Sequence, residues 1–325
     1  MFRCGIAIAI VLGCIAPTSG VSQILNLSEL SSHELQKLDR GDTVIIMPGG
    51  ILEEHGPYLP SFSDGYTNAW IADRLAEAII RERGGSVVMF PTIPLGAGEP
   101  EGFGGNELMS GSYPVRPETL RAVYMDLTSA LGDDGFRTIF VVSAHGAPSH
   151  NSALVESSKY FNDMYDGRMI VLTSILYDSS QEPLMLLDED EKKEHGISVH
   201  SGAIETSELL FVQPGLVADD YSDAVAYPAQ TTRELLTVAE RPDWPGYFGS
   251  PRLASPGDGG KSISYRAQST IELALRILDG FDWTNLPTRD SLGESDRAFR
   301  TLKKNNSART EKEKLRQEQW LESQD

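Results

Sequence analysis

The chain has 325 residues, of which 40% are hydrophobic and 23% charged, with a net charge of −19 and a pI of about 4.7. That is enough apolar material for one large α/β domain or two small ones. A surface this acidic repels nucleic acid and anionic membranes, so neither is an expected partner.

Met1-Phe2-Arg3 is a short positive start, and Gly5 to Ala16 is an apolar run too short to span a bilayer. Pro17-Thr18-Ser19-Gly20 then supplies small residues suited to cleavage. Residues 1–20 therefore read as a secretory signal peptide, the alternatives being an uncleaved anchor or a misplaced start, and the mature protein is expected in the periplasm or outside the cell. Val11-Leu12-Gly13-Cys14 also weakly resembles a bacterial lipobox, in which Cys14 would be lipidated. Both cysteines, Cys4 and Cys14, lie in this segment. Cleavage near Gly20 leaves a mature chain without disulfides or thiolates, so any metal must be held by His, Asp and Glu.

Beyond the signal, Leu27 to Leu38 reads as a helix with Ser28 or Ser31 as cap. Val44–Met47 is a buried strand, and Tyr66–Arg83 carries apolar residues at helical period. Ser86–Phe90 is the next strand, followed by a glycine-rich loop over Ile93–Gly111 that suits either an interface or a lid. A helix opens at Arg116-Pro117-Glu118 and runs to about Leu131. Thr138–Val142 is a third strand, a helix covers roughly Ser152–Met164, and Met169–Leu176 is a further strand. This alternation predicts an α/β fold of three α/β/α layers around a mostly parallel sheet. Asp178–Glu194 is an acidic insertion, Glu205–Phe211 a helix, Val212–Gly260 irregular structure walling a pocket, and Ser262–Leu278 a final core helix. The charged tail within 291–325 reads as a solvated helix or as disorder.

The chemistry concentrates at strand ends. Glu53-Glu54-His55-Gly56-Pro57-Tyr58-Leu59-Pro60, closed by Asp64, follows the apolar run Val44–Pro48. Glu53 and His55 are two apart, so in extended backbone they point to one side, and turns at Gly56, Pro57 and Pro60 let Asp64 fold back onto them. Two carboxylates and an imidazole converging there suit a hydrolytic metal site; solvated loop charges are the bland alternative. Of six histidines, four lie in or beside such motifs: His55, His145 and His150 after the strand Thr138–Val142, and His200 in Ser198-Val199-His200-Ser201-Gly202-Ala203-Ile204-Glu205. Small residues beside His55, His145 and His200 leave room for an ion or substrate near the backbone. His33 and His195 read as surface residues.

These motifs resemble those of the creatininase (creatinine amidohydrolase) family. The first is similar to its Glu-x-His-Gly-x-His-Leu-Pro…Asp signature, Ser143-Ala144-His145-Gly146…Asn151 to its Asn-Gly-His-Gly…Asn segment, and His200-Ser201-Gly202-Ala203-Ile204-Glu205-Thr206-Ser207 to its His-Ala-Gly-x-x-Glu-Thr-Ser segment. Gly249-Ser250-Pro251-Arg252-Leu253-Ala254-Ser255 resembles a late Gly-Asp-Pro…Ala-Thr stretch. The resemblance implies a hydrolase domain over residues 21–290 with two divalent ions, Zn²⁺ first, Mn²⁺ or Fe²⁺ as alternatives. Glu53 and His145 would hold one ion, His55 and Glu205 the other, and Asp64 would bridge them. Such ions lower the pKa of a shared water and polarise the scissile carbonyl. His200 would protonate the leaving nitrogen, unless it merely hydrogen-bonds Glu205. The family also implies a small-molecule amide substrate and a homo-oligomer, commonly a hexamer.

The departures bear on the substrate. Tyr58 stands where the family has a second histidine, and Ala147 where creatininase proper has a glutamate ligand, which is why Glu205 takes that role. Tyr58 and His150 are expected to line the pocket, His150 alternatively to cap the next helix. No tryptophan falls between the second and third motifs, which argues against creatinine itself. A cyclic amide, a formamide and a peptide bond remain open as substrates. The other class of reading is a non-catalytic solute- or metal-binding protein of the envelope.

Overall fold

The computed structural model describes residues 22–176, 187–289 and 296–324. The expected signal peptide with Cys14, and most of the 178–194 insertion, lie outside the described residues.

The sheet has five strands: β1 (Gln23–Asn26), β2 (Val44–Pro48), β3 (Ser86–Met89), β4 (Thr138–Val142) and β5 (Arg168–Val171), in the order β1-β3-β2-β4-β5. Every pairing is parallel, with Val44 opposite Val87 on one side and Thr138 on the other. Parallel strands need crossover helices, and burial on both faces requires continuous apolar runs such as Thr138-Ile139-Phe140-Val141-Val142. Successive side chains point to opposite faces. Val44, Ile46, Phe140 and Val142 therefore pack under α2 (Ser63–Arg83) and α8 (Pro256–Leu278), whereas Ile45, Met47, Ile139 and Val141 pack under α3 (Pro117–Asp133) and α4 (Pro148–Met164). The result is the expected three-layer α/β/α arrangement.

Chain order places the site. From β2 the chain passes through α2 to β3; from β4 it passes through α4 to β5, on the other side of the sheet. Adjacent strands whose connections depart in opposite directions open a crevice beyond their carboxyl ends. The Glu53–His55 loop leaves β2 there, and the His145 loop leaves β4. Gly49 and Gly50 let the strands end in close packing, since a Cβ on Gly49 would meet the Ser143 hydroxyl at 2.9 Å and one on Gly50 the Gly65 Cα at 2.8 Å.

Several elements differ from expectation. The segment Leu27–Leu38 is a 3₁₀ turn (Leu27–Glu29) and a one-turn helix α1 (Ser32–Leu35) closed by a Ser31–Glu34 capping box. Strand β1 was unexpected, and β5 stops at Val171 because Leu172–Ser174 turns as 3₁₀. The acidic insertion contains α5 (Glu189–His195), whose last residue His195 is half-buried. After α6 (Ala203–Val212), the expected irregular stretch includes α7 (Thr232–Ala239), capped by Thr231. The tail forms α9 (Arg297–Glu322). Ala298, Leu302 and Asn306 recur every four residues on α9 and are buried, so its first half packs on the glycine-rich loop while the charges occupy the other faces.

Helix α8 crosses α6 closely at Gly259, where a Cβ would stand 1.8 Å from the Ser207 carbonyl oxygen. Gly259→Ala is expected to destabilise the fold by about 1–3 kcal/mol through overpacking against backbone. A denaturant midpoint equal to that of the wild type would contradict this packing.

Candidate metal centre and its cavity

Five donors meet above the β2–β4 crevice. Glu53 and His55 come from the β2 loop, which is closed by the Glu53 N–H donating to the Ser61 carbonyl at 2.9 Å. Asp64 lies in the first turn of α2, where a helix N-terminus favours a carboxylate. His145 follows β4, and Glu205 lies in the first turn of α6. Its carboxylate is held by the Ser201 N–H at 2.6 Å, with Ser201 in the left-handed region at φ 50°. That backbone strain sits directly beside His200, as strained residues tend to do at functional sites.

The donors form two triangles. His145 Nδ1 lies 3.1 Å from Asp64 Oδ2 and 3.2 Å from Glu53 Oε2. His55 Nε2 lies 4.0 Å from Asp64 Oδ1 and 3.8 Å from Glu205 Oε2. Each triangle uses a different oxygen of Asp64. Glu53, His55 and His200 form a third, overlapping group.

The imidazoles are oriented from behind. His55 Nδ1 is 3.0 Å from the Glu53 carbonyl, to which it donates, so Nε2 presents a lone pair to the centre. His145 Nε2 donates in the same way to the Gly98 carbonyl at 3.0 Å. His200 Nε2 donates to the Glu54 carbonyl at 2.7 Å, leaving Nδ1 on the side of Glu53, 4.0 Å from its Oε2.

The field is strongly negative. Burial disfavours charge on His145, but the Glu53 charge and the Asp64 contact override it and raise its pKa well above the ordinary histidine value. Burial likewise opposes charge on His200, and Glu53, Glu54 and Glu205 nevertheless raise it to about 10. For Asp64 burial acts upward, and its contacts with His145, His55 and His200 hold the carboxyl below the usual range.

A cavity of about 320 Å³ opens onto Glu53, Asp64, His145, His200 and Glu205. Its other wall is apolar, from Phe103, Phe299 and Leu302 among others.

The two expected pocket residues lie elsewhere. Tyr58 is half-buried against Tyr247, with ring centroids 5.9 Å apart, and does not line the cavity. His150 does not line it either and does not cap α4; it is fully buried in that helix's first turn. Burial and the charge of His145 hold its pKa well below the ordinary value, so the ring is neutral. It accepts from the Ala97 N–H at 3.3 Å on Nδ1 and donates from Nε2 to the Ser143 hydroxyl at 2.9 Å, tying the glycine-rich loop to the His145 loop.

Side chains beyond the candidate ligands and pocket residues also hold the site. Asn68, one turn along α2 from Asp64, donates to the Gly49 carbonyl at 2.8 Å and accepts from the Ala144 N–H at 3.0 Å, stapling the two strand ends. Asn151 donates to the His145 carbonyl at 2.8 Å. Glu54 is buried with one oxygen 3.7 Å from His200 Nε2. For Asn68 and Glu54 these contacts lie far along the chain, which no spacing rule encodes.

Residues 28–274 match the family model described as Creatininase: Creatinine amidohydrolase. The creatinine amidohydrolase of Pseudomonas putida is 25% identical over 248 residues, spanning 74% of this chain and 92% of that protein. A crystal structure of creatinine amidohydrolase (creatininase) superposes with a TM-score of 0.59 at 20% identity, covering 78% of this chain and 97% of that one. A Zn–Zn form of a creatininase variant superposes with a TM-score of 0.57 at 21% identity, covering 78% and 97% of the two chains. The structural likeness establishes a shared fold, and the family match runs from the first helical turn to within α8. The chain belongs to the creatininase family of amidohydrolases.

Proposed function

We propose that this protein is an exported, two-metal amidohydrolase that cleaves a carbon–nitrogen bond other than a peptide bond in a small amide. The observation that carries this reading is the pair of donor triangles sharing the two oxygens of Asp64. Glu53 Oε2 and His55 Nε2 are buried without a hydrogen-bond partner. Leaving such atoms unpaired costs about 1–3 kcal/mol each, which a bound cation offsets. Two donors each ~2.1 Å from one ion at a tetrahedral angle stand ~3.4 Å apart, close to the separations in both triangles. Three carboxylates and two imidazoles suit Zn²⁺, with Mn²⁺ or Fe²⁺ as alternatives. The Zn–Zn form of a related creatininase supports the same assignment.

Glu53, His145 and Asp64 would hold one ion, and His55, Glu205 and Asp64 the other; bound there, the pair would activate water and polarise an amide carbonyl. The chain's own residues supply the rest. The carbonyls of Glu53 and Gly98 fix which nitrogen His55 and His145 present. His200 stays outside both triangles and lines the cavity with Nε2 committed to Glu54, so Nδ1 is the atom that carries a proton to the leaving nitrogen. A binding protein without turnover would have no use for a histidine locked in that way. The cavity volume lies at the small end of ligand sites, which favours a compact amide over a polypeptide.

Two tests follow. In Glu53→Gln and His145→Ala proteins, metal content and turnover are both expected to fall; full metal content with full turnover in either sinks the assignment. Because Glu53 and Asp64 raise the His145 pKa, the metal-free site carries a proton at neutral pH that an ion must displace. Zn²⁺ loading at pH 7 is therefore expected to release at least about one proton per chain, and affinity to fall with decreasing pH. Calorimetry in buffers of different ionisation enthalpy reads this, and a buffer-independent enthalpy would refute it. Export rests on residues 1–20, and intact mass of the mature protein, with a start near residue 21, tests it.

A further inference from the structure

The cavity has a wall that the family match does not reach. That match ends at residue 274, whereas Arg289, Phe299 and Leu302 all line the cavity. Phe299 and Leu302 lie on α9. The helix is fastened to the glycine-rich loop by Asn305 donating to the Gly102 carbonyl at 2.7 Å, by Asn306 donating to the Glu99 carbonyl at 3.1 Å, and by an Arg309–Glu99 ion pair. Phe299 also packs edge-on against Phe103, with centroids 5.8 Å apart. This is a fixed apolar surface lining the same cavity as the donor cluster.

Among the described residues that line the cavity, Arg289 is the single lysine or arginine. Its Nε donates to the Thr173 carbonyl at 3.0 Å. Among the described residues no carboxylate stands in salt-bridge contact with it, whereas nearby Arg266 pairs with the buried Glu208. A guanidinium offers five N–H groups in a rigid fork, and among the described residues only Nε has a hydrogen-bond partner, so the fork can offer its terminal nitrogens to a planar anion. Arg289 lines the same cavity as Asp64, His145 and Glu205. Four carboxylates line the cavity, Glu53, Asp64, Glu99 and Glu205; Glu99 is paired with Arg309, and two divalent ions would outweigh the other three, so the cavity would tolerate an anionic ligand.

We propose that this C-terminal wall sets substrate choice, with Arg289 binding a carboxylate of the substrate while Phe103, Phe299 and Leu302 contact its apolar part. The substrate class is then a small amide carrying a carboxylate and a short hydrocarbon body. This rests on the two-metal amidohydrolase reading. A bidentate guanidinium–carboxylate contact gives orientation as well as affinity, so the scissile amide is placed over the donor cluster from the far end of the molecule.

The test uses Zn²⁺-loaded full-length protein and metal-directed probes in matched pairs: the monohydroxamates of succinic, glutaric and adipic acids against neutral butyro-, valero- and hexanohydroxamate. At one chain length or more, the wild type is expected to bind the carboxylate-bearing probe at least about tenfold more tightly than its neutral partner. Arg289→Met is expected to erase that preference while leaving neutral-probe affinity unchanged, and Arg289→Lys to retain part of it. Equal binding of both probes at every length, or a preference that survives in Arg289→Met, overturns the proposal. Loss of the neutral probes as well in Arg289→Met also overturns it, because Thr173 Oγ1 accepts from the Ser143 N–H at 2.8 Å and Arg289 would then act only by positioning the His145 loop. If no hydroxamate binds the Zn²⁺-loaded wild type, the two-metal reading itself fails. In the same assay Phe299→Ala is expected to weaken 4-phenylbutyrohydroxamate more than butyrohydroxamate; an equal effect on both removes the apolar wall from the account.

Discussion

If the site holds two ions as proposed, Asp64→Asn is expected to fold, to lose both of them, and to lose turnover by at least about 10²-fold, the scale seen when a single preorganised electrostatic element is removed. The reason is geometric. Asp64 Oδ2 faces His145 and Oδ1 faces His55, so one side chain belongs to both triangles. Asparagine keeps the shape but replaces one oxygen with an amide that offers N–H groups where a lone pair is needed. It also removes the buried negative charge that would balance the proposed cations. Glu205 belongs to one triangle only, so Glu205→Gln is expected to leave one ion in place, on the Glu53–His145 side. Metal analysis after desalting distinguishes these outcomes. Two ions retained in Asp64→Asn would remove it from the bridging position, and loss of both in Glu205→Gln would show that the triangles are not independent.

The second large effect is expected at His200, with metal content unchanged. In His200→Gln the new amide nitrogen can still donate to the Glu54 carbonyl, while Nδ1, the atom proposed to carry the proton, is lost. Turnover is expected to fall by about 10²–10⁴-fold, the usual range for a general acid or base. The deficit shrinks for anilides whose leaving amine needs little protonation. A uniform loss across leaving groups would make His200 a positioning residue for Glu205 or Glu54 instead. Loss of metal would move it into the overlapping Glu53–His55–His200 group.

Much of the central layer was legible because its signals are local. The run Thr138–Val142 predicts β4 with the boundaries observed, and Arg116-Pro117 marks the start of α3. Pro148 in the first turn of α4 is the same kind of signal, and the helix begins there, four residues before Ser152. Thr231 with Glu234 was likewise a start signal for α7, hidden in a stretch rich in Pro, Gly and Asp. Strand β1 is four residues long with alternating half-burial, and only its pairing with β3 makes it a strand. At the site, strand-end motifs single out Glu53, His55, Asp64, His145 and His200, because the fold brings strand ends together, whereas Glu205 is marked only by the resemblance of its segment to the family's third motif. Glu54 was not legible, since its alternation with Glu53 gives no sign that it would sit beside His200. Nor were Arg289, Phe299 and Leu302, whose place depends on a charged tail helix folding back over the glycine-rich loop.

The most direct test of the two-ion account is a titration of chelator-stripped protein with Zn²⁺, following hydrolysis of a small amide against metal equivalents per chain. The account predicts negligible activity without metal and a rise that saturates at two equivalents. Full activity in the stripped protein, or saturation at one equivalent, would contradict it.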